Sequence, residues 1–439
     1  MFVRDLKLIF IMFGLCALLS GCNNPQPELS ENSEQETTTD VVEYFEALAN
    51  LSKFNGVVYL SRNSEVLVNK AFQAQDFPTR GAVTPESMFH IASVRKLMNQ
   101  YLVFQNPPVE GFADIPLVEW IDGANIHPAW TLRMLLNHES GLPRGEAHEF
   151  GDTPYTLEET KALILSQPLR TAPGEEFYYS NFGYLLIDIA IGEWFEQHPN
   201  EVFRAEVFEP LSLTRTMNAN AAFQQDNYAQ GYYYPESDTA VAAERYKFLQ
   251  FESGDLYSTA QDLAQFVRQI ESPDIRSNGI VEHAGAKRGY RSYLYHDSNQ
   301  QLTFVMLANT TAVPITDVIS DMKRIFTGEA VPIPKEINRQ AIAYQPYIAE
   351  QIAGDYTLLV NGQTLILTCD ANGIYLNDPA SEQAPQELLF ENETTLFHDP
   401  KVLDSFAIEW HNNQPQLFAV AMGGARFPMQ REQARSCND

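Results

Sequence analysis

Strand-like residues stand at the two ends of a long helical stretch, and this separation restricts the fold more than any other feature of the chain. Gly56-Val57-Val58-Tyr59-Leu60 and Glu65-Val66-Leu67-Val68 are β-type runs, and Arg62-Asn63-Ser64 between them suits a hairpin loop. Tyr290–Tyr295 and Leu302–Leu307 predict a second hairpin around Asp297-Ser298-Asn299. Between the hairpins, Thr156–Leu165, Phe182–Phe195 and Ala260–Ile270 carry apolar residues at helical period, and so does Val41–Leu51 through Val42, Phe45, Leu48 and Leu51. Strands from distant parts of the chain with helices between them imply an α/β (α+β) fold, an antiparallel sheet with a helical insert.

The texture changes after Val331-Pro332-Ile333-Pro334. From about Tyr347 the chain reads as short strands, at Tyr356–Val360, Thr364–Leu367, Leu388–Phe390, Phe406–Trp410 and Leu417–Val420, separated by turns such as Asn361-Gly362 and Asn372-Gly373. This predicts a C-terminal all-β, barrel-like (lipocalin-like) module. The expected division is a hydrolase-type domain over 41–328, a linker over 329–345 and the β module over 346–439.

Three short motifs carry chemistry. Ser93-Val94-Arg95-Lys96 is an S-x-x-K; on a helix, residues three apart share a face, so the amine reaches the hydroxyl. A serine hydroxyl needs such a base to become a nucleophile near neutral pH. Ser320-Asp321-Met322-Lys323 fits the same pattern but reads as an exposed helix face. Tyr179-Ser180-Asn181 is a Y-x-N, with a phenol to relay a proton and an amide to hold substrate and Lys96. Tyr375-Leu376-Asn377 matches too, within the β module. His283-Ala284-Gly285 is an H-x-G at the start of the second hairpin; there the backbone N–H groups of Ala286 and Ser93 can form an oxyanion hole.

In order and rough spacing, the three motifs resemble the serine β-lactamase and penicillin-binding-protein superfamily, in particular its class C β-lactamase, DD-peptidase and esterase branch. Thr131–Leu142 is similar to the segment of that family ending H-T-S-G-L, and Leu256–Leu263 to its L-x-S-T-x-x-D-L turn and helix. The resemblance implies that Ser93 is the acylated nucleophile, that Lys96 or Tyr179 is its base, that Asn181 positions substrate, and that His283 replaces the Lys of K-T-G. It implies a serine hydrolase acting through an acyl-enzyme, a peptidase on D-amino-acid peptides (DD-carboxypeptidase-like) or an esterase, with no cofactor or metal. The alternatives are a class C-type β-lactamase and a non-catalytic penicillin-binding-like protein. Three departures stand out. The imidazole removes an obligatory positive charge and lowers the expectation of β-lactamase activity. Leu97–Trp130 is short and broken by Pro107-Pro108. Ser253-Gly254-Asp255 stands where relatives carry paired glycines. His138 reads as structural, capping a helix end. Lys287, Arg288 and Arg291 follow the oxyanion strand; they read either as solvated surface or as a seat for a substrate carboxylate.

Arg4 and Lys7 precede an apolar run from Leu8 to Leu19, too short to span a bilayer and typical of a secretory signal. Leu19-Ser20-Gly21-Cys22 resembles the bacterial lipobox, which implies cleavage after residue 21 and acylation of Cys22. Asn23 after that Cys implies the periplasmic face of the outer membrane of a Gram-negative cell. Residues 22–40 are polar and acidic and read as a disordered tether. Cys369 and Cys437 remain as an even pair in an oxidising compartment, a candidate disulfide. The formal charge of −28 disfavours nucleic acid and anionic membrane surfaces as partners; the expected partners are a small-molecule or peptide substrate and, through the lipid, a membrane.

Overall fold

The computed structural model describes residues 31–437 apart from 75–76, 78–81, 124, 146–153, 235–238, 253–254, 360–361, 380–383, 401–403, 413 and 422–424. The expected leader, Cys22 and the first part of the tether lie outside the described residues, as do Ser253 and Gly254. Two compact units are present, Val41–Val313 and one formed mainly by Pro314–Asp439. The division falls before the helix Ile315–Phe326, which the sequence pattern groups with the first domain.

The tether expectation needs correction: a helix spans Glu31–Asn50. Its C-terminal half buries Val41, Tyr44, Phe45 and Leu48, and once that half is formed each further residue adds a hydrogen bond without a new nucleation cost. The polar residues ahead of it support the extension. Thr38 and Thr39 donate their hydroxyls to the Glu34 and Gln35 carbonyls at 2.8 and 2.9 Å, and Glu34 and Glu36 suit the positive end of the helix dipole.

In the first unit a five-stranded antiparallel sheet has the order Glu65–Phe72, Gly56–Arg62, Leu302–Ala308, Tyr290–Asp297, Ile280–Lys287. The strands Gly56–Arg62 and Leu302–Ala308 are buried along their whole length. Gly56 allows their close approach, since a Cβ there would stand 2.0 Å from the Leu307 carbonyl oxygen. Against the sheet Phe45 packs on Phe54, Phe72 and Phe304, with ring centroids 4.7 to 6.2 Å apart. The amphipathic helix Ala260–Arg268 is capped by Thr259 and buries Leu263, Ala264, Phe266 and Val267 in the same unit's main core. Ile280–Lys287 is an edge strand, so one side of its backbone faces away from the sheet.

The helical insert obeys the same local rules. Leu157–Leu165 begins in a capping box between Thr156 and Glu159. Asn181–Phe195 begins at Ser180, whose hydroxyl accepts the Gly183 N–H. The segment after Ser93 is short: a 3-10 turn at Ala92–Arg95, helix over Lys96–Gln100, and a π-helical turn that ends at Gln105, ahead of Pro107.

The second unit contains a closed eight-stranded antiparallel barrel in simple meander order, with Gly354–Leu358 paired to both Gln363–Cys369 and Ala425–Ala434. Burial alternates along its strands, as in Ile374–Asn377, and Tyr356, Leu367, Ile374, Phe390 and Leu417 fill the interior. Cys369 and Cys437 form a disulfide across 68 residues. In a chain-entropy account a loop of this length stabilises the unit by about 4 kcal/mol. Cys437→Ser is therefore expected to lower its unfolding free energy by about that much, read by denaturant titration, with reductant producing the same loss in the unaltered protein but none in the variant.

Candidate active site

Ser93 sits where a two-residue strand, Phe89–His90, turns into the short helix carrying Lys96. The turn is tight, with Ala92 at φ 48°, a left-handed conformation that only surrounding contacts can hold at a non-glycine residue. Three contacts hold it. The Ile91 N–H donates to the Leu256 carbonyl at 3.0 Å, the Ala92 N–H donates to His90 Nδ1 at 2.9 Å, and Ser292 Oγ donates to the Ile91 carbonyl at 2.7 Å.

The Y-x-N loop is fixed from the other side by residues 138–144. The Tyr178 N–H donates to the His138 carbonyl and the Asn181 N–H to the Arg144 carbonyl, at 2.7 and 2.8 Å. Ser180 donates its N–H to His138 Nδ1 at 3.1 Å and its hydroxyl to the Pro143 carbonyl at 2.7 Å. Gly141 makes the bend possible, with φ 75° and no room for a Cβ beside the Thr171 carbonyl.

These supports bring four side chains together. Lys96 Nζ donates to Ser93 Oγ at 3.1 Å and to Asn181 Oδ1 at 3.0 Å. Ser93 Oγ and the Tyr179 hydroxyl are 3.0 Å apart. The amine lies over the rings of Tyr179 and Tyr184, at 5.0 and 5.1 Å from their centroids. Burial pushes the Tyr179 phenol up. The Lys96 charge and hydrogen bond, the Ser93 hydrogen bond and the nearby Arg144 guanidinium pull it down further, so its pKa lies below the usual phenol value. A half-buried serine hydroxyl within reach of both an amine and an acidified phenol can lose its proton and attack an electrophile.

His283 lies on the edge strand Ile280–Lys287, half-buried, with its Nδ1 bonded to the Ala284 carbonyl at 2.7 Å, which leaves Nε2 as an acceptor. Desolvation and the Lys96 charge lower its pKa to about 4, so the ring is neutral near pH 7. Gly285 brings this strand against the nucleophile turn: a Cβ there would stand 2.3 Å from Ser292 Oγ and 2.7 Å from the Ile91 carbonyl oxygen. Ala286, next along, is exposed on the same strand.

Each member of the basic cluster has partners within the protein. Lys287 Nζ is bound by both Asp255 oxygens at 2.6 and 2.8 Å. Arg288 stacks on Tyr233 at 4.0 Å and pairs with Glu244 at 3.4 Å. Arg291 donates to the carbonyls of Tyr290 and Lys287 at 2.8 and 3.2 Å. The structure thus engages both guanidinium groups, expected either as solvated surface or as a seat for a substrate carboxylate, within the protein itself.

His138 does more than cap a helix end. It is at φ 61°, but its ring also packs on Tyr179 with centroids 4.3 Å apart and touches Phe177 and Tyr184. Burial, Lys96 and His283 lower its pKa to about 3. Arg144, over the Tyr179 ring at 5.2 Å, was also missed. Its place directly after Gly141-Leu142-Pro143 was the available signal.

A profile of the family described as Beta-lactamase matches residues 44–279, a span that includes Ser93, Lys96, Tyr179 and Asn181 and stops short of His283. Penicillin-binding protein 4* of Bacillus subtilis (strain 168) is 22% identical over 413 residues, covering 80% of this chain and 90% of that protein. Teichoic acid D-alanine hydrolase of Staphylococcus aureus (strain NCTC 8325 / PS 47) is 24% identical over 258 residues, 56% of this chain and 62% of that protein. The octameric penicillin-binding protein homologue from Pyrococcus abyssi shares the fold, with a TM-score of 0.58, 18% identity, and coverage of 90% of this chain and 99% of that one.

Two outcomes are expected. Gly285→Val should reduce kcat for any substrate of Ser93 by roughly 100-fold or more, because it forces the edge strand off the nucleophile turn; steady-state kinetics on folded variant checks this. The second concerns acid. His138 and His283 have folded pKa values of about 3 and about 4 against an ordinary 6.5, so the unfolded chain takes up these protons first. Their contribution to stability is complete above pH 6.5 and is lost as pH falls from there toward about 3. Denaturant midpoints should decline over that window, and His138→Gln should flatten part of the decline; an unchanged slope would contradict the assignment.

Proposed function

The chain belongs to the Beta-lactamase family, and from that premise we propose that it is a serine hydrolase that forms an acyl-enzyme on Ser93 and acts on D-amino-acid peptides, amides or esters. One observation carries the reading: Ser93 Oγ lies within hydrogen-bonding reach of both the Lys96 amine and the Tyr179 phenol, at 3.1 and 3.0 Å.

Each step follows from that arrangement. Ser93 Oγ bonds to the substrate carbonyl carbon as its proton passes to the Tyr179–Lys96 pair. The carbonyl oxygen becomes an oxyanion, which the N–H groups of Ser93 and Ala286 receive. When the intermediate collapses, the bond to the leaving amine or alcohol breaks and that group takes the proton from the pair. Water then attacks the acyl-enzyme, its proton follows the same route, and Ser93 is restored. Asn181 keeps the amine directed at Ser93, and His283 offers its neutral Nε2 to a substrate donor.

The D-amino-acid preference is supported by the name of the Staphylococcus aureus relative, a D-alanine hydrolase. The neutral imidazole at 283 disfavours a cationic seat of the kind that holds the carboxylate of a β-lactam. The sequence at Cys22 supports export and lipid anchoring at the periplasmic face of an outer membrane.

A fluorophosphonate should add to the unaltered protein at one site, mapped by peptide mass to Ser93, and Ser93→Ala should abolish the adduct. D-alanyl esters and amides should be hydrolysed, with a loss of roughly 1,000-fold or more in Ser93→Ala. A missing adduct would refute the acyl-enzyme. Turnover of a chromogenic cephalosporin faster than of D-alanyl substrates would reassign the enzyme as a β-lactamase.

A further inference from the structure

Two features of the sequence that the reaction does not use meet in one half-buried cluster. Asp255 ends the Ser253-Gly254-Asp255 segment that departs from the family pattern, and Lys287 ends the edge strand Ile280–Lys287. Lys287 Nζ is bound by both Asp255 oxygens, and Asp255 Oδ1 also accepts from His90 Nε2 at 2.7 Å. The ring's other nitrogen, Nδ1, accepts the Ala92 N–H at 2.9 Å. That second bond fixes the tautomer, because a nitrogen that accepts an N–H carries no proton of its own. The chain of contacts therefore runs from the end of the oxyanion strand, through Asp255 and His90, to the backbone residue before Ser93.

We propose that His90, Asp255 and Lys287 form a positioning device that sets the spacing between the two backbone segments serving the Ser93 oxyanion hole. Ala286 precedes Lys287 and Ser93 follows Ala92, so each end of the device is one residue from an N–H of that hole. The left-handed Ala92 needs its N–H held, and His90 holds it. His90 is 1% exposed and wedged among the rings of Phe248, Tyr257 and Tyr290, at 5.1 to 5.6 Å, so movement of Asp255 is transmitted rather than absorbed. None of the three acts on a reacting atom. Their effect is on where charge-stabilising donors point, and such placement is worth large factors in rate when it shifts by about 1 Å. The device rests on the acyl-transfer reading of Ser93.

The test uses the full chain, Asp255→Asn, Lys287→Met and the double variant. The lysine side chain is 25% exposed, so its replacement leaves the core intact. Active sites are titrated with a fluorophosphonate, turnover is read with a p-nitrophenyl ester, and phenylboronic acid serves as the tetrahedral mimic. Each single variant is expected to lose roughly 10- to 100-fold in kcat per titrated site, with KM held within about twofold. The boronate inhibition constant should weaken in parallel with kcat. The double variant should be no slower than the slower single one, because residues acting as a unit are not additive. Unchanged kcat per titrated site, additive losses, or a deficit explained wholly by fewer titratable sites would overturn the proposal. If the unaltered protein takes up no phosphonate, the acyl-transfer reading itself fails; normal labelling with indifferent variants defeats only the device.

Discussion

The Lys96 amine is held between Ser93 Oγ and Asn181 Oδ1 in a pocket floored by two tyrosine rings, and the site is organised around its charge. Among the described residues its partners are a hydroxyl, an amide oxygen and two ring faces. None of them is an anion, so its field is not cancelled locally and is felt by every titratable group nearby. It pulls the Tyr179 phenol down and pushes protons off His138 and His283. Burial is the larger cause at both imidazoles, and this one ammonium adds to it while lowering the Tyr179 phenol.

Such a charge must be held by parts of the chain far apart in sequence, and the fold supplies the connections. Arg95 and Asp188 form a buried ion pair at 2.6 Å, and Asn99 donates to the other Asp188 oxygen at 2.9 Å. Arg95 and Asn99 flank Lys96, while Asp188 lies on the helix that opens at Asn181. A buried pair of this kind contributes little net stability after desolvation, but it fixes which faces meet. It sets the phase of the two helices so that Lys96 and Asn181 point at each other. The 138–144 segment does the same for Tyr179 through backbone hydrogen bonds and the His138 ring.

The sequence revealed what depends on local pattern. The hairpins, the capped helices and the S-x-x-K and Y-x-N motifs were legible because periodicity and spacing encode them directly. The last barrel strand, Ala425–Ala434, was not: it contains Pro428, Arg426, Arg431 and Glu432, and Met429 is its one buried hydrophobic residue among those described. Its strand character comes from closing the barrel against Gly354–Leu358 and Gln414–Ala421, a long-range effect that no window of residues contains. The helix ahead of Val41 was missed for the opposite reason, since a polar composition suggested a coil while the buried turns behind it propagate the helix. The roles of His90 and Asp255 were invisible because their meaning lies in a contact 165 residues apart along the chain.

The same long-range contacts decide where positive charge is left free near the candidate site. Lys287 is neutralised by Asp255, Arg288 is shared between Tyr233 and Glu244, and Arg291 caps backbone carbonyls. His283, on the same edge strand, is neutral near pH 7. On the proposed acyl-transfer reading, an oxyanion at Ser93 would draw less on side-chain cations along the edge strand than a K-T-G site would, and more on oriented backbone N–H groups. Dipoles stabilise charge only when their orientation is fixed in advance. With a neutral ring at 283, a site of this kind would depend on the rigidity of its two backbone segments. In this chain that rigidity comes from Gly285 seated against Ile91, Ser292 bonded to the Ile91 carbonyl, and the Ala92 N–H held by His90.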